Sequence, residues 1–362
     1  MKFILADKSY NKQLCDFVRN QTITGHISMS YARDPDFFAG LEIQGIKNQV
    51  IAGVENNKLL GFGCRSIRPM YINGKQQSFG YLSGLRSSTE GIQKLGIFRG
   101  YKKLKELHQA DIVNGYITTI IDKNKKALKA LTFGRANLPF YRDLSTCHTY
   151  AIPTKKKKNS KADTNELKVR KAKKGEEHLI ISLLNKYGKE LNFFPVISEN
   201  DFGSSILNGL SAEDFLIAEN NEIPCGVVAM WNQREFKQNR VKRYSPYLKT
   251  LKPFINLILK LGGFHKLPKE DELLHQTYIC FRAAKNNDLK IHFRLIKKAL
   301  ELNTNSSFCL IGFHEKDPAR KVMSRFFTFD YRSKMYWVDW DEKNTNFNKL
   351  DNRAINFEPA IL

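Results

Sequence analysis

A chain of 362 residues is long for one hydrophobic core and natural for two domains of ordinary size. Its 42% of hydrophobic and 26% of charged residues indicate a globular protein, and no apolar run approaches the roughly 20 residues needed to cross a bilayer. The first eight residues hold too short an apolar stretch for a signal-peptide core, so we expect a soluble, cytoplasmic protein. The six cysteines stand singly, which argues against a disulfide framework and against a zinc site.

The formal net charge of +23 is concentrated in two segments. Residues 154–174 contain ten basic and two acidic residues, and residues 232–252 contain seven basic and one acidic residue, so together they carry 14 of the 23 charges. A solvated, lysine-rich linker explains such charge, and so does a surface that binds nucleic acid. We favour the linker, because no helix-turn-helix, zinc-finger or aromatic RNA-binding pattern accompanies the charge.

The first 153 residues show strand and helix patterns in a definite order. A strand, a helix and a polar helix-like stretch precede a meander of three strands, with tight turns at Asn56-Asn57 and Asn73-Gly74. A helix, a strand, a second helix and a closing strand follow. In order, the predicted elements are residues 2–6, 11–20, 34–41, 49–55, 59–67, 79–86, 97–109, 116–121, 124–131 and 148–152.

The same order returns after a polar stretch, residues 154–166, which we predict to be a basic linker. The turn pair Asn220-Asn221 falls at the place that Asn56-Asn57 holds in the first half. We therefore predict two domains, residues 1–153 and 167–341, followed by a C-terminal tail, residues 342–362. The predicted elements of the second domain are residues 167–171, 176–187, 214–219, 223–231, 277–282, 289–302, 307–313 and 334–340.

An insertion at about residues 232–270 has no counterpart in the first domain. Within it, residues 247–263 join apolar residues to interspersed lysines and end on Gly262-Gly263. Such a helix can lie on an anionic membrane surface, or it can pack between domains or cover a cleft.

The most informative segment runs from a strand, residues 81–86, through a turn that bears glycine and glutamine, residues 90–97, into a basic helix. A turn with free backbone N–H groups at the start of a helix is how proteins hold a pyrophosphate. This turn and the element order resemble the GCN5-related N-acetyltransferase (GNAT) superfamily, in two tandem copies. The family's turn reads Arg/Gln-x-x-Gly-x-Gly/Ala; Gln93 and Gly96 match its first two fixed positions, and Phe98 replaces the small residue at the third.

The resemblance implies an α/β fold of two GNAT-like domains, each a mostly antiparallel, splayed sheet flanked by helices, with the acyl-CoA site in residues 1–153. It implies contacts to acyl-CoA from the end of the strand, from the turn, and from Asn124, which serves equally well as a helix cap. A backbone N–H of Leu85 or Arg86 would bind the acyl carbonyl oxygen. The implied cofactor-binding residues are Leu85, Arg86, Ser87, Gln93, Lys94, Leu95, Gly96, Ile97, Phe98 and Asn124.

The sequence offers only a few candidates for the catalytic acid and base. Many family members use a tyrosine to protonate the departing CoA thiolate, and Tyr141 matches its region, although a buried tyrosine with a satisfied hydroxyl also fits. Three residues are candidates for the base that takes the proton of the acceptor amine, namely Glu42, His26 and Glu90, and their spacing favours none of them.

The second copy carries one further catalytic candidate. His314 precedes Glu315 and Asp317, a group that invites a metal or acid–base interpretation. Asp317-Pro318 is also an ordinary helix start. We count His314 among the catalytic candidates and expect no metal.

The resemblance implies an acyl-CoA-dependent N-acyltransferase that moves an acetyl group from acetyl-CoA to an amine by direct attack in a ternary complex. A catalytically silent module that uses its basic surfaces for nucleic acid, an anionic membrane or an acidic partner is the alternative. A third possibility is an aminoacyl or longer-chain acyltransferase, as in the peptidoglycan-bridging enzymes that also carry tandem copies of this fold.

Overall fold

A computed structural model describes residues 1–23, 27–90, 96–132, 134, 138–156, 167–343 and 345–362. None of the described helices is both long and apolar enough to cross a membrane. The strands are β1 (Lys2–Ala6), β2 (Thr22–Ile23), β3 (Ile27–Ala32), β4 (Lys47–Glu55), β5 (Lys58–Ile72), β6 (Lys75–Ser87), β7 (Tyr116–Ile121), β8 (Phe140–Pro153), β9 (Leu167–Lys171), β10 (Phe194–Pro195), β11 (Phe215–Asn220), β12 (Ile223–Trp231), β13 (Gln238–Tyr244), β14 (Gln276–Ala284), β15 (Phe308–His314) and β16 (Phe329–Asp339). The helices are α1 (Asn11–Arg19), α2 (Ala39–Glu42), α3 (Gly96–Ala110), α4 (Lys125–Thr132), α5 (Glu177–Gly188), α6 (Pro246–Leu261) and α7 (Leu289–Leu302).

Thirteen of the described strands form one sheet, in the order β1-β4-β5-β6-β7-β16-β8-β15-β14-β12-β11-β9, with β10 paired to β5. Among the described strands of this sheet, only the pairs β6–β7 and β14–β15 are parallel. A small second sheet joins β13 to β3 and β2. The predicted mixed α/β class, with a mostly antiparallel sheet flanked by helices, is confirmed.

The two halves of the chain exchange their last strands. β8, which ends the first half, pairs with β15 of the second half, and β16, which ends the second half, pairs with β7 of the first. β8 and β16 also pair with each other. The two halves therefore share one continuous sheet, and each half depends on a strand from the other.

The helices cover both faces of this sheet because neighbouring residues of a strand point to opposite sides. In β4, Val50 belongs to the apolar cluster that holds Leu14 and Val18 of α1. The next residue, Ile51, belongs to the cluster that holds Tyr101 of α3. α1 and α3 therefore lie on opposite faces of the first half, and this separation positions the site described below.

Most predicted elements are confirmed to within one or two residues, and strands 116–121, 167–171 and 223–231 agree at both ends. The helix-like stretch 34–41 was wrong in extent: the helix covers only α2 (Ala39–Glu42), and Pro35 disfavours helical geometry at Asp34. β8 is much longer than the predicted strand 148–152 because it pairs with β16 along almost its whole length.

Candidate active site

β6 and β7 separate shortly after they meet. Their parallel pairing covers only Gly80 with Tyr116 and Tyr81 with Ile117. Gly80 allows this close approach, since a Cβ there would lie 2.0 Å from a ring carbon of Tyr116. Beyond this point the rest of β6 pairs only with β5 among the described strands, so a wedge-shaped gap opens along its other edge.

A bulge in β6 lies beside this gap. The register of β5 and β6 shifts between Phe62 and Cys64, where Gly84 and Leu85 of β6 lie opposite the single residue Gly63 of β5. Gly84 takes the left-handed conformation that glycine adopts most easily, with φ of 66°. The next side chain, Leu85, is 47% exposed. The bulge thus turns the backbone of β6 at the mouth of the gap.

A cavity of about 160 Å³ meets β6 at this bulge, on the face of the sheet that α1 covers. Val18, Phe37 and Phe62 give it an apolar side, while Ser83 Oγ donates to Gln44 Oε1 at 2.7 Å on its polar side. Helix α3 lies on the other face. The cavity and the start of α3 are therefore reached from opposite sides of the same strand.

The cavity carries positive charge. Arg33 is only 7% exposed, its guanidinium lies 5.2 Å from the centre of the Phe37 ring, and its Nη1 has no hydrogen-bond partner among the described residues. Arg86 donates to Gln21 Oε1 at 2.9 Å, and burial lowers the pKa of its guanidinium. The described residues that line the cavity include no aspartate or glutamate. A buried polar atom without a partner is costly, so this guanidinium nitrogen is available to a polar group or a water molecule that enters the cavity.

Tyr31 of β3 lines the cavity. Burial alone would raise its pKa, but the positive charges of Lys237 and Arg33 lower the pKa of Tyr31 overall. A hydrogen bond with Tyr278 adds to this stabilisation of the phenolate. Tyr31 is therefore suited to accept a proton inside the cavity.

The last residues of the chain reach the same cavity. Leu362 lines it, and the buried ammonium of Lys237 donates to the backbone oxygens of Pro359, Ala360 and Leu362 at 3.2, 3.1 and 3.2 Å. Gln233 Nε2 donates to the Ala360 oxygen at 3.0 Å. Side chains from the predicted insertion thus fix the C-terminal segment against the site.

The second half repeats the gap and the bulge. β14 and β15 pair in parallel only from Gln276 to Tyr278, and Phe281 of β14 has φ of 52° at a register shift of the same form. Here, however, Glu358 Oε2 accepts the backbone N–H of Phe281 at 2.6 Å, and burial raises the pKa of Glu358 to about 7. The C-terminal segment therefore occupies the place that stays open in the first half.

Next to this bulge the second half holds a buried ion pair. Arg282 donates to the buried carboxylate of Asp317, and Asn287 Nδ2 donates to the same carboxylate at 2.9 Å. Among the described residues, no group of three histidine, cysteine, aspartate or glutamate side chains is placed to hold a metal ion.

The predicted cofactor-binding residues separate into three places. Leu85, Arg86 and Ser87 lie together at the bulge and the end of β6. Gly96, Ile97 and Phe98 lie in α3, where Ile97 and Phe98 pack against the apolar cluster around Tyr101 and Leu104, so the Phe98 side chain contacts the core. Asn124 is exposed and caps α4, since its Oδ1 accepts the Ala127 N–H at 3.2 Å. Gln93, Lys94 and Leu95 lie outside the described residues.

The predicted catalytic residues do not line the cavity. Tyr141 shares a hydrogen bond with the Tyr101 hydroxyl, and burial raises its pKa well above the ordinary value. Glu42 is half-buried on α2. His314 is fully buried in the second half, where its Nε2–H donates to the Leu144 oxygen at 2.6 Å and its Nδ1 accepts the Lys316 N–H at 3.2 Å. Of the other base candidates, Glu90 lies beyond the end of β6, and His26 lies outside the described residues.

No family model and no curated protein sequence matches this chain. Solved structures do: Saccharomyces cerevisiae N-myristoyltransferase with bound myristoyl-CoA superposes with a TM-score of 0.58 at 12% identity, over 94% of this chain and 83% of that one. The chain has the GNAT fold. A GCN5-related N-acetyltransferase from Anabaena variabilis superposes with a TM-score of 0.50 at 10% identity, over 93% of this chain and 72% of that one. The predicted resemblance is thereby confirmed at the level of the fold.

Three residues of the GNAT-fold site were not anticipated: Tyr31, Arg33 and Lys237. The alternation of Ile27, Met29 and Tyr31 with polar residues is a strand signal that predicts β3. It does not predict that β3 pairs with β13, more than 200 residues away, and this pairing brings Lys237 to Tyr31.

Proposed function

We propose that this protein is an acyl-CoA-dependent N-acyltransferase with one acyl-CoA site per chain, in the first half. The observation that carries the proposal is the open gap between β6 and β7, with the Gly84 bulge and a buried, positively charged cavity at its mouth. The shared GNAT fold supports it, since the matched structures include an N-myristoyltransferase with bound myristoyl-CoA and a GCN5-related N-acetyltransferase.

In this proposal the donor lies along the free edge of β6, with its pyrophosphate at the start of α3 near Gly96 and its thioester at the bulge. The acceptor amine enters through the cavity on the opposite face. Tyr31, in its phenolate form, takes a proton from the amine. The amine nitrogen attacks the thioester carbon. A C–N bond forms and the C–S bond breaks, and the thiolate leaves and is protonated by Tyr141 or by water.

A backbone N–H at the bulge stabilises the carbonyl oxygen as negative charge develops on it. The sequence favours Leu85 or Arg86 for this role. The matching position in the second half, where the Phe281 N–H binds a carboxylate oxygen, corresponds to Gly84. We therefore include the Gly84 N–H in the proposed oxyanion site.

An acetyl group is the acyl group we favour. The cavity of about 160 Å³ is smaller than the roughly 300–1,000 Å³ of sites for drug-sized ligands. A short acyl group together with the amine end of an acceptor fits such a volume.

Thermal unfolding tests donor binding. Acetyl-CoA at 1 mM should raise the melting temperature, because a ligand at about 100 times its Kd stabilises the folded state by roughly 2.7 kcal/mol. Gly96→Trp should remove the shift, since an indole at the start of α3 blocks the pyrophosphate. Lys105→Trp places the same indole on an exposed turn of α3 and should preserve the shift.

Release of free CoA thiol in the presence of a panel of amines then tests transfer. Absence of any shift with millimolar acetyl-CoA would refute the proposal. Salt-sensitive binding to DNA without a CoA effect would favour the catalytically silent module instead.

A further inference from the structure

Helix α6 (Pro246–Leu261) has an unusual surface for a helix of a folded protein. None of its sixteen residues is buried. Five large apolar side chains are more than half exposed: Tyr247 at 74%, Phe254 at 63%, Leu257 at 53%, Ile258 at 54% and Leu261 at 80%. Single exposed apolar residues are ordinary, but a contiguous group of this kind marks an interaction surface.

These five side chains share one face of the helix. Tyr247, Phe254, Ile258 and Leu261 are separated by seven, four and three residues, the spacing that aligns side chains along one side of an α-helix. The lysines of α6 lie on another side, where Lys249 forms an ion pair with Glu270 at 3.5 Å and Lys252 donates to the Pro268 oxygen. The polar side of α6 is thus attached to the protein, and its apolar side faces outward.

The surroundings of this face are strongly basic. Residues 240–269 contain eight lysines and arginines and no acidic residue. Arg243, Lys260, Lys266 and Lys269 are exposed. The acidic residues that follow are engaged with the segment itself, since Asp271 pairs with Lys242 at 2.9 Å and Glu270 with Lys249. A segment that combines an exposed apolar face with exposed cationic side chains complements a surface that is apolar inside and anionic outside.

We propose that α6 docks this protein on an anionic lipid bilayer, lying in the plane of the membrane interface. Sixteen helical residues span about 24 Å, short of the roughly 30 Å hydrocarbon core, so the helix lies on the membrane rather than across it. The five apolar side chains enter the acyl boundary and the exposed cations bind headgroups, each adding roughly fivefold to the affinity.

Flotation of the full-length protein with vesicles tests this proposal. Vesicles of phosphatidylcholine with about 30% phosphatidylserine should bind the protein at least tenfold more tightly than pure phosphatidylcholine, and 0.5 M salt should weaken the binding. Phe254→Trp keeps the face apolar and supplies a probe, whose emission should shift to the blue on binding and be quenched by brominated lipid.

Matched variants separate the helix from general stickiness. The triple variant Phe254→Ser, Leu257→Ser, Leu261→Ser should lose at least tenfold in vesicle affinity. The control variant Ile112→Ser, Phe327→Ser removes two apolar side chains that are 75% and 70% exposed elsewhere, and it should bind as the native protein does. All five positions are exposed, so circular dichroism should show native folding in both variants.

Two results would overturn the proposal. The first is binding to anionic vesicles that the triple variant retains, which would place the contact elsewhere. The second is absence of vesicle binding by the native protein. If light scattering then shows a dimer that the triple variant abolishes, a second copy of the chain covers α6.

Discussion

Replacing Lys237 by methionine tests whether one buried ammonium fixes the C-terminal segment at the candidate site. The side chain is 2% exposed, and its Nζ donates to three backbone oxygens, those of Pro359, Ala360 and Leu362, at 3.1 to 3.2 Å. Methionine is of similar length and apolar. It fills the same space, carries no charge and leaves the three acceptors without this donor.

The expected cost follows from these contacts. A hydrogen bond with a charged partner contributes about 1.5–3 kcal/mol, but the three bonds share one ammonium whose burial is itself unfavourable and lowers the pKa of Lys237. We therefore expect a loss of about 3 kcal/mol rather than the full sum. Part of this loss should appear as local opening of residues 355–362, because all three bonds end on this segment, whose other anchors are its own buried side chains.

Hydrogen exchange measures this opening directly. In Lys237→Met, backbone amides of residues 355–362 should exchange about 100-fold faster than in the native protein, while amides of β4 and β5 should keep their rates. Lys242→Met, five residues further along in β13, is the matched control, since its partner Asp271 is 70% exposed and such surface pairs contribute at most about 1 kcal/mol. Native exchange rates in Lys237→Met would show that apolar anchors alone hold the segment and would refute the assigned role of the ammonium.

Three further predictions concern the cavity, the bulge and the second half. Tyr31→Phe should lower kcat/KM for acetyl transfer by about 10²–10⁴ and abolish the acidic limb of the pH–rate profile, while the thermal shift with acetyl-CoA persists. Gly84→Val should cost about 1–3 kcal/mol in a urea titration and stop CoA release, because φ of 66° is strained for valine and its Cβ meets Phe62 at 3.3 Å. Burial, and after it the positive charge of Arg282, lowers the pKa of His292 to about 3. In the unfolded state the histidine has its ordinary pKa of 6.5, so that state binds the proton at a higher pH than the folded state does. Stability should therefore fall as the pH drops from 6.5 towards 3, and His292→Gln should flatten that dependence in urea midpoints.

Local patterns were sufficient for the elements themselves. Strand 116–121 and helix 289–302 were predictable because their apolar spacing and flanking turns are encoded within a few residues. The turn at Gln93 and Gly96, together with the element order, was also sufficient for the GNAT fold. These features depend on neighbours in the sequence.

The parts that sequence reasoning missed depend on distant residues. The exchange of β8 and β16 joins Arg142 to Trp337, and nothing in either strand specifies that partner. Arg33 lies against Phe37 and passes so close to Gly40 that a Cβ there would meet its side chain at 3.0 Å, a contact that no periodicity signals. Residues 342–362 carry no regular pattern, although several of them are buried in the fold.

The two halves share a bulge but differ in what faces it, and this difference explains why one site per chain is expected. In the second half the Phe281 N–H already binds a carboxylate oxygen of Glu358 at 2.6 Å, so this backbone geometry accommodates an oxygen that carries negative charge. The register shift places Gly84 at the same point of the first half, and none of the described aspartates or glutamates lines the cavity beside it. An N–H in this geometry is suited to the developing oxyanion of a thioester under attack. If Glu358 is what closes the second half, then Glu358→Ala should open its bulge without creating a second acyl-CoA site, because the buried Arg282–Asp317 ion pair remains beside it and neutralises the Arg282 charge. Calorimetry with acetyl-CoA should accordingly give a stoichiometry of about one in both the native protein and the variant, and a value of two in either would contradict the assignment.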